Sequence, residues 1–563
     1  MAKPSCCEST KVKIGHSLSE AEKQHVARRR KTVQQCLEQH GLDCEDEVPN
    51  IAVLGSGGGL RAMVGLLGSL SQLKEDELLN CIMYLSGVSG STWCMASLYK
   101  EPDWSTKLLA MRDDIVQRLA DGSVSWSEME QKLMKYYLEQ DNFSLTDVWA
   151  ALIVSRMVKE IDEHTLTEQR GKHTNDPYSV YTVIDKQCTQ NGLNADVCFE
   201  ITPDESGYSL DGAFVDSSCW GSKFENGKKI KDQPEMDMLY LQGLCGSAIA
   251  DMKEVREELY EALKHLITRN TEERYELQTR KAQDGLQVLL TLVELNLCAL
   301  REEDPTTHLK TMNDLLKDTF DPTGRMNLHL EKLMTSEGMI SKPELKEYTL
   351  CVCNSLLAEW QNYWDEYRLI LTIIKKMSYW NWGTTYNYLY KMKVSSVEGV
   401  DPSVLDSETR DYEDAGLFLN SSYFSVLRQE RHIDLIISLD FSAGNPFETV
   451  VKTAKLCKGL HIPFPEVVVP AEDTEPQDFY VFRGYGKAPT VIHIPLFNAV
   501  NCKGEVEKWE KRYQTFQMSY SCEMITDLLE KAALNIKNNK EKLLKEIENV
   551  IDGKKGKKEK KLG

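Results

Sequence analysis

The chain has no uninterrupted apolar run near the roughly 18 residues that a membrane-spanning helix needs. Its longest apolar stretch, Leu286 to Leu300, is shorter than that and carries Glu294. No basic segment followed by an apolar one opens the sequence, so no secretory leader is expected. Among sixteen cysteines there is no CxxC pair, which argues against a zinc ribbon or a thioredoxin-like site and leaves most thiols as small core hydrophobes in a reducing cytosol. Positive charge is also short: 67 Lys and Arg face 87 Asp and Glu, a formal charge of −20. Such a surface repels nucleic-acid phosphates, and no nucleic-acid partner is expected. Internal repeats and long linkers rich in Gly, Ser and Pro are missing too. What these absences leave is a cytosolic globular chain of 563 residues, 41% apolar and 27% charged, with room for one large domain or two to three smaller ones.

Residues 17 to 41 predict an amphipathic helix: Ser19 and Glu22 form a capping box, Val26, Val33 and Leu37 share a face, and Gly41 can end it. Its Arg28-Arg29-Arg30-Lys31 run reads as a solvated helix face. Ile51-Ala52-Val53-Leu54 is a fully apolar run typical of a strand covered on both sides, followed by a glycine cluster and a helical stretch from Leu60 to Leu73. Cys81 to Leu85 and then Ser91 to Tyr99 repeat that grammar, which is the grammar of an α/β sheet. From about Met252 to Leu371 strand signals fade and Glu, Lys, Leu and Arg dominate, predicting helices inserted into the α/β domain. Strand-like runs return at His432 to Leu439, Val467 to Val469 and Val491 to Leu496, and a long helical region from Val506 to Val550 closes the chain. The end, GKKGKKEKKLG, has two readings: a solubilising tail, or a polybasic patch drawn to anionic lipid at about 1 kcal/mol per lysine.

Three segments carry chemistry. Gly55-Ser56-Gly57-Gly58-Gly59-Leu60-Arg61 lies between a strand and a helix, where glycines let amides crowd round an anion and the helix start adds its positive end. Its spacing fits neither GxxxxGK[ST] nor a full GxGxxG signature. Gly87-Val88-Ser89-Gly90-Ser91, again between strand and helix, matches the nucleophile elbow that lifts a serine hydroxyl above a sheet. That serine needs a neighbour to take its proton. Eleven histidines are present, but none sits where a triad histidine is expected; His432 and His493 fall at or inside strands. Asp414-Ala415-Gly416-Leu417 can place a carboxylate on a tight loop, as a base without a histidine or as an ordinary Asx turn, with Asp411 and Glu413 crowding the same loop.

The segments GSGGGLRAM, YLSGVSGSTW and DAGL, in this order, resemble the cytosolic (group IV) phospholipase A2 family, whose catalytic domain is related to the patatin lipases. GSKF at Gly221 to Phe224, WGTTYNYLYK at Trp382 to Lys391 and DFSAG at Asp440 to Gly444 extend the resemblance over roughly residues 50 to 500. It implies a patatin-like three-layer α/β/α fold with a central mixed sheet and a helical lid or cap. The layout it implies is an N-terminal helical segment at 1–48, a catalytic domain at 49–505 with the insertion at about 252–371, and a C-terminal helix with the lysine tail at 506–563.

The resemblance also implies roles. Ser89 corresponds to the nucleophile, Asp414 to its base, Gly58 and Gly59 to the oxyanion hole, and Arg61 and Arg431 to arginines that serve the substrate phosphate. The expected activity is hydrolysis of glycerophospholipid acyl esters through an acyl-serine, with a lysophospholipid as a further acyl acceptor. The glycine loop begins too early for a preceding lipid-docking C2 sandwich, so the layout is similar to the gamma subtype, calcium-independent and without a metal or cofactor. Two features depart from the family pattern: Tyr412-Glu413 precede Asp414 where apolar residues are usual, and Lys-Leu-Gly ends the chain without a prenylation cysteine. Cys6-Cys7 is a palmitoylation candidate or a pair of free thiols. A cytoplasmic protein held peripherally at intracellular phospholipid membranes is expected. The rival readings are a Ser-His-Asp esterase and a catalytically inactive lipid-binding relative.

Overall fold

The structure, a computed structural model, describes residues 12–44, 47–190, 197–247, 253–272, 280–316, 325–335, 341–359, 365–397, 399–471 and 474–562. Cys6 and Cys7, and with them the palmitoylation reading, lie outside these residues. The chain divides into two compact units, Met1–Ser123 with Arg156–Ile249 and Thr385–Gly563, and Val124–Ser155 with Ala250–Thr384.

After a two-residue edge strand, Lys13–Ile14, paired antiparallel with Ala213 and Phe214, the first unit continues with helix α1 (Glu20–Gln39), capped by the Ser19 side chain accepting from the Glu22 amide at 3.0 Å. Arg29 corrects the reading of its basic run as solvated. It is fully buried and donates to the carbonyls of Ile82 at 2.5 Å, Leu79 at 3.3 Å and Asn175. Loop carbonyls without ladder partners need donors, and one guanidinium serves several.

The elements that follow are β1 (Ile51–Gly55), α2 (Gly59–Glu75), β2 (Tyr84–Gly87), α3 (Gly90–Tyr99), β3 (Tyr178–Asp185), β4 (Cys198–Ile201), β5 (Glu205–Tyr208), β6 (Ala213–Asp216), β7 (Thr409–Asp414), β8 (Leu435–Asp440), α4 (Glu448–Gly459), β9 (Tyr480–Phe482), β10 (Thr490–Pro495), α5 (Cys522–Asn538) and α6 (Lys540–Leu562). They build one mixed sheet ordered β6-β5-β4-β3-β2-β1-β8-β10-β9. Pairing is parallel from β3 to β10 and antiparallel outside that core. β7 adds an antiparallel pairing to β3 that sets Asp414 opposite Val183.

The chain winds outward from β1 in one direction through α2 to β2, and from β8 in the other through α4 to β10. Parallel crossovers are nearly always right-handed, so opposite directions put helices on opposite faces. The sheet is accordingly an α/β layer covered on both sides. Where the two directions part, between β1 and β8, the carboxyl ends of the strands leave a crevice. Gly55, Gly87 and Asp440 all lie there.

Several expectations change in the fold. The strand expected at Cys81 to Leu85 begins only at Tyr84, because Leu79–Cys81 forms a 3-10 turn. His432 lies outside β8, in a left-handed conformation after a short turn. Val467 to Val469 forms no strand; Pro463, Pro465 and Pro470 remove the donors that a ladder requires. The expected helix from Val506 to Val550 is broken into Val506–Arg512, α5 and α6. The first break falls where the Tyr513 carbonyl turns to accept from Arg61 at 2.6 Å. β4 and β5 are not visible in the apolar pattern, because Glu200 and Glu205 interrupt it. Glu200 is buried between Arg428 and Arg431.

The second unit is built of helices: Trp126–Glu139, Leu145–Trp149, Lys253–Glu272, Arg280–Arg301, Thr306–Leu316, Arg325–Thr335, Lys342–Glu359 and Asp365–Tyr379. Ser125 and Glu128 close a capping box at the first of them. The Trp126 and His265 rings stack at 3.9 Å, and Asn296 donates to Thr349 at 2.9 Å.

Candidate active site

β1 delivers its glycine loop to the crevice with its register fixed on both sides. The Ser56 amide donates to the Leu439 carbonyl at 3.1 Å, the Ser56 hydroxyl accepts from the Phe441 amide at 2.6 Å, and the Ser91 hydroxyl donates to the Ser56 carbonyl at 2.7 Å. Gly58 has φ 155° and ψ 28°, and a methyl group there would come within 2.7 Å of the Phe441 carbonyl oxygen. Only glycine fits. Gly58 caps α2 and Gly59 is its first residue, so their amides belong to the helix end whose donors lack intrahelical partners. Among the described residues neither amide donates to a protein acceptor.

Ser89 stands at the turn from β2 into α3 with φ 52° and ψ −124°. A side chain in that conformation is strained by about 1–3 kcal/mol, the mark of an elbow held by its surroundings. Its neighbours must be small. A methyl group on Gly90 would overlap the Gly59 carbonyl oxygen, and one on Gly87 would lie 2.8 Å from the Met95 sulfur. The elbow and the glycine loop are therefore in direct backbone contact.

Asp414 ends β7 fully buried, its amide donating to the Ser247 hydroxyl at 3.0 Å and its Oδ1 accepting from the Gly416 amide at 2.7 Å. The Asx turn thus forms, and it aims the carboxylate inward. Burial first, and then the Asp414 charge, push the nearby Cys245 thiol above its ordinary pKa. A methyl group on Gly416 would be 3.1 Å from Asp414 Oδ1 and 3.7 Å from a Val88 methyl carbon, and one on Gly57 would be 2.9 Å from Ser89 Cβ. Loop, elbow and carboxylate turn thus converge on one spot at the carboxyl end of β1. Glu413, which shares the turn, is drawn to Lys186.

The arginines part company. Arg61 lies beside this spot, with Nη2 3.0 Å from where a Gly58 methyl group would be. Its Nε donates to the Phe441 carbonyl at 2.8 Å, Nη1 to the Tyr513 carbonyl at 2.6 Å and Nη2 to the Thr515 hydroxyl at 3.0 Å. Arg431 is elsewhere. Its five N–H groups go to Glu22, Glu200 and the Ser425 carbonyl, which leaves no donor for a phosphate. Burial opposes its charge, but Glu200 and Glu22 outweigh that and hold it firmly protonated. Its place is in a buried ion network tying α1 to the sheet.

Among the described residues no hydrogen bond joins the Ser89 hydroxyl to a histidine or to Asp414. Three buried histidines are engaged elsewhere: His493 contacts the Ser438 hydroxyl at 3.2 Å and the Pro446 carbonyl at 2.9 Å, His25 the Asp176 carbonyl at 2.9 Å, and His173 the Asp176 carboxylate at 2.7 Å. Sequence reasoning passed over Asn420, whose carboxamide lies between the glycine loop and the Asp414 turn. Its one signal is an amide closing the apolar run Leu417-Phe418-Leu419.

A serine on a strand–turn–helix elbow, set against glycine amides at a helix start, defines a serine acyl hydrolase on an α/β sheet. A family model described as the lysophospholipase catalytic domain matches residues 51–276. Cytosolic phospholipase A2 gamma of Mus musculus is 33% identical over 572 residues, covering 95% of this chain and 91% of that protein. Its counterpart in Homo sapiens is 33% identical over 559 residues, covering 96% and 97%. Among solved structures, human GIVD cytosolic phospholipase A2 shares the fold with a TM-score of 0.67 at 21% identity, over 97% of this chain and 67% of that one. The chain belongs to the cytosolic phospholipase A2 family of ester hydrolases. Among the described residues no helix is long and apolar enough to cross a membrane.

Proposed function

We propose that the protein is a calcium-independent phospholipase A2 that cleaves fatty acyl esters of glycerophospholipids through a Ser89–Asp414 dyad. The observation that carries this reading is the convergence of the Gly57–Gly59 loop, the Ser89 elbow and the Asp414 turn at one crevice. Ser89 Oγ attacks the ester carbonyl carbon as its proton passes to the Asp414 carboxylate. Catalytic hydrogen bonds are often long before substrate binds, and they tighten in the complex. Negative charge gathers on the former carbonyl oxygen, where the Gly58 and Gly59 amides stabilise it, each such donor contributing about 2.7–4 kcal/mol.

The ester C–O bond then breaks. Asp414 returns its proton to the departing lysophospholipid oxygen, and acyl-Ser89 remains. Water, deprotonated by Asp414, attacks the acyl carbonyl next; the acyl–Oγ bond breaks, Ser89 Oγ takes the proton back from Asp414, and the fatty acid is freed. A second lysophospholipid in place of water makes the enzyme a transacylase, and a lysophospholipid as first substrate makes it a lysophospholipase. Amide donors and a carboxylate supply the charge stabilisation and proton transfer, so turnover needs no cation. Among the described residues, two of the five Arg61 N–H groups beside the glycine loop have no protein acceptor, which supports this residue as the phosphate contact. Such a substrate is met at a cytoplasmic membrane surface, which the protein visits peripherally.

Phospholipid hydrolysis in excess EGTA tests the reading. Wild type turns over, while Ser89→Ala and Asp414→Ala each lose at least about 10³-fold in kcat. Calcium-dependent turnover, near-wild-type rates in both variants, or abolition by a single histidine substitution contradicts it.

A further inference from the structure

The amide that faces an oxyanion is only as well aimed as the peptide unit that carries it. In a planar trans peptide the carbonyl of one residue points opposite to the N–H of the next. The direction of the Gly58 N–H is therefore set by the direction of the Gly57 carbonyl. Glycine on both sides makes that peptide easy to rotate, because neither residue has a Cβ to restrict it. A rotated unit would turn a carbonyl oxygen, not an N–H, toward the developing negative charge.

Asn420 grips Gly57 on both sides: one bond holds the Ser56–Gly57 peptide through its N–H, and the other holds the Gly57–Gly58 peptide through its carbonyl. Its backbone carbonyl accepts from the Gly57 amide at 3.1 Å, and its side-chain Nδ2 donates to the Gly57 carbonyl at 3.2 Å. The orientation of the carboxamide is itself determined: the Gly57 carbonyl can only accept, so Nδ2 must face it. Nδ2 also donates to the Ser442 hydroxyl at 2.7 Å, and that hydroxyl donates to Asp440 Oδ1 at 2.6 Å. The clamp is thus anchored at the end of β8. Oδ1 lies between loop and turn, where it would overlap a methyl group on Gly57 and would be 2.9 Å from one on Gly416, beside the turn that carries Asp414.

We propose that Asn420 is a positioning residue that locks the Gly57–Gly58 peptide with its N–H toward the oxyanion and sets the Asp414 turn against the same loop. The inference rests on the reading of Ser89 as nucleophile and of Gly58 as oxyanion donor. Among the described residues the Asn420 side chain bonds the Gly57 carbonyl and the Ser442 hydroxyl and neither Ser89 nor Asp414; its effect is on where the donor points. A donor misplaced by about 1 Å can cost on the order of 10²-fold in rate, and the cost falls on the transition state.

The test uses the full-length protein, a soluble monomeric fatty acyl ester as substrate, and an alkylboronic acid, which forms a tetrahedral anion on serine. For Asn420→Ala the expected result is a kcat lower by about 10²-fold with KM within about twofold, boronate affinity lower by a similar factor, and an unchanged melting temperature. Asn420→Asp adds a pH readout. The ionised carboxylate repels the Gly57 carbonyl, while the protonated acid can donate to it. Its activity relative to wild type should therefore rise as pH falls.

Wild-type kcat and boronate affinity in Asn420→Ala overturn the inference. So do losses that follow melting temperature alone, with a pH-independent ratio for Asn420→Asp. Ser89→Ala, run in parallel, separates the two levels: if it hydrolyses the ester, the reading of the site fails; if it is inactive while Asn420→Ala is not, only the role of Asn420 fails.

Discussion

Gly90 backs so closely onto Gly59 that a methyl group on it would overlap the Gly59 carbonyl oxygen. This contact locks the residue after Ser89 to the first residue of α2, so the elbow and the glycine loop cannot be adjusted independently. Two glycines from separate turns thereby fix the spacing between the Ser89 elbow and the Gly58–Gly59 loop.

Gly90→Ala therefore has no local escape, since the obstacle is backbone. The expected result is destabilisation of about 1–3 kcal/mol with a loss of turnover larger than the loss of folded protein accounts for. Gly459→Ala is the matched control: nothing lies within 4 Å of its new methyl group. Thermal melts and initial rates on both variants check this, and equal behaviour of the two contradicts it.

Ser89 carries strain that glycine would relieve. Ser89→Gly should raise unfolding stability by about 1 kcal/mol or more while abolishing hydrolysis. A denaturant titration beside an activity assay reads both effects. A fall in stability would mean that the elbow conformation at φ 52° is not held against a cost.

The Arg431 network predicts an acid limit to stability. Burial raises the Glu200 pKa, but Arg428 and Arg431 outweigh it, and the net shift is downward from 4.5. A depressed carboxylate stabilises the fold fully above its unfolded pKa and loses that contribution as pH falls through the folded value. Stability should accordingly decline below about pH 4.5. Arg431→Met, which leaves Glu200 and Glu22 with one cation fewer, should cost about 3–5 kcal/mol. Enzyme that remains folded should keep its KM for phospholipid. A raised KM at unchanged stability would return Arg431 to the substrate phosphate.

What could be seen in the sequence follows from where its information is local. The motifs at Gly57–Gly59, Gly87–Gly90 and Asp414–Gly416 sit in turns, and turns are written in adjacent residues. β1 was legible for the same reason, as one apolar run. β4 and β5 were not, because Glu200 becomes a core residue only beside Arg428 and Arg431, which are far along the chain. Arg29 looked like surface because the carbonyls it serves come from two other segments, the turn from Leu79 to Ile82 and the loop at Asn175. Val467–Val469 looked like strand because valine propensity was weighed above the flanking prolines. Asn420 left almost no trace, since a clamp is defined by the peptide it holds.

The most direct test of the central claim is covalent. A fatty alkyl fluorophosphonate, incubated with the wild-type protein in EGTA and followed by peptide mass analysis, should add one phosphonyl group at Ser89, with parallel loss of activity. Labelling should be absent in Ser89→Ala and strongly slowed in Asp414→Ala. Stoichiometric inactivating modification at another residue, or full-rate labelling of Ser89 without Asp414, would contradict the account.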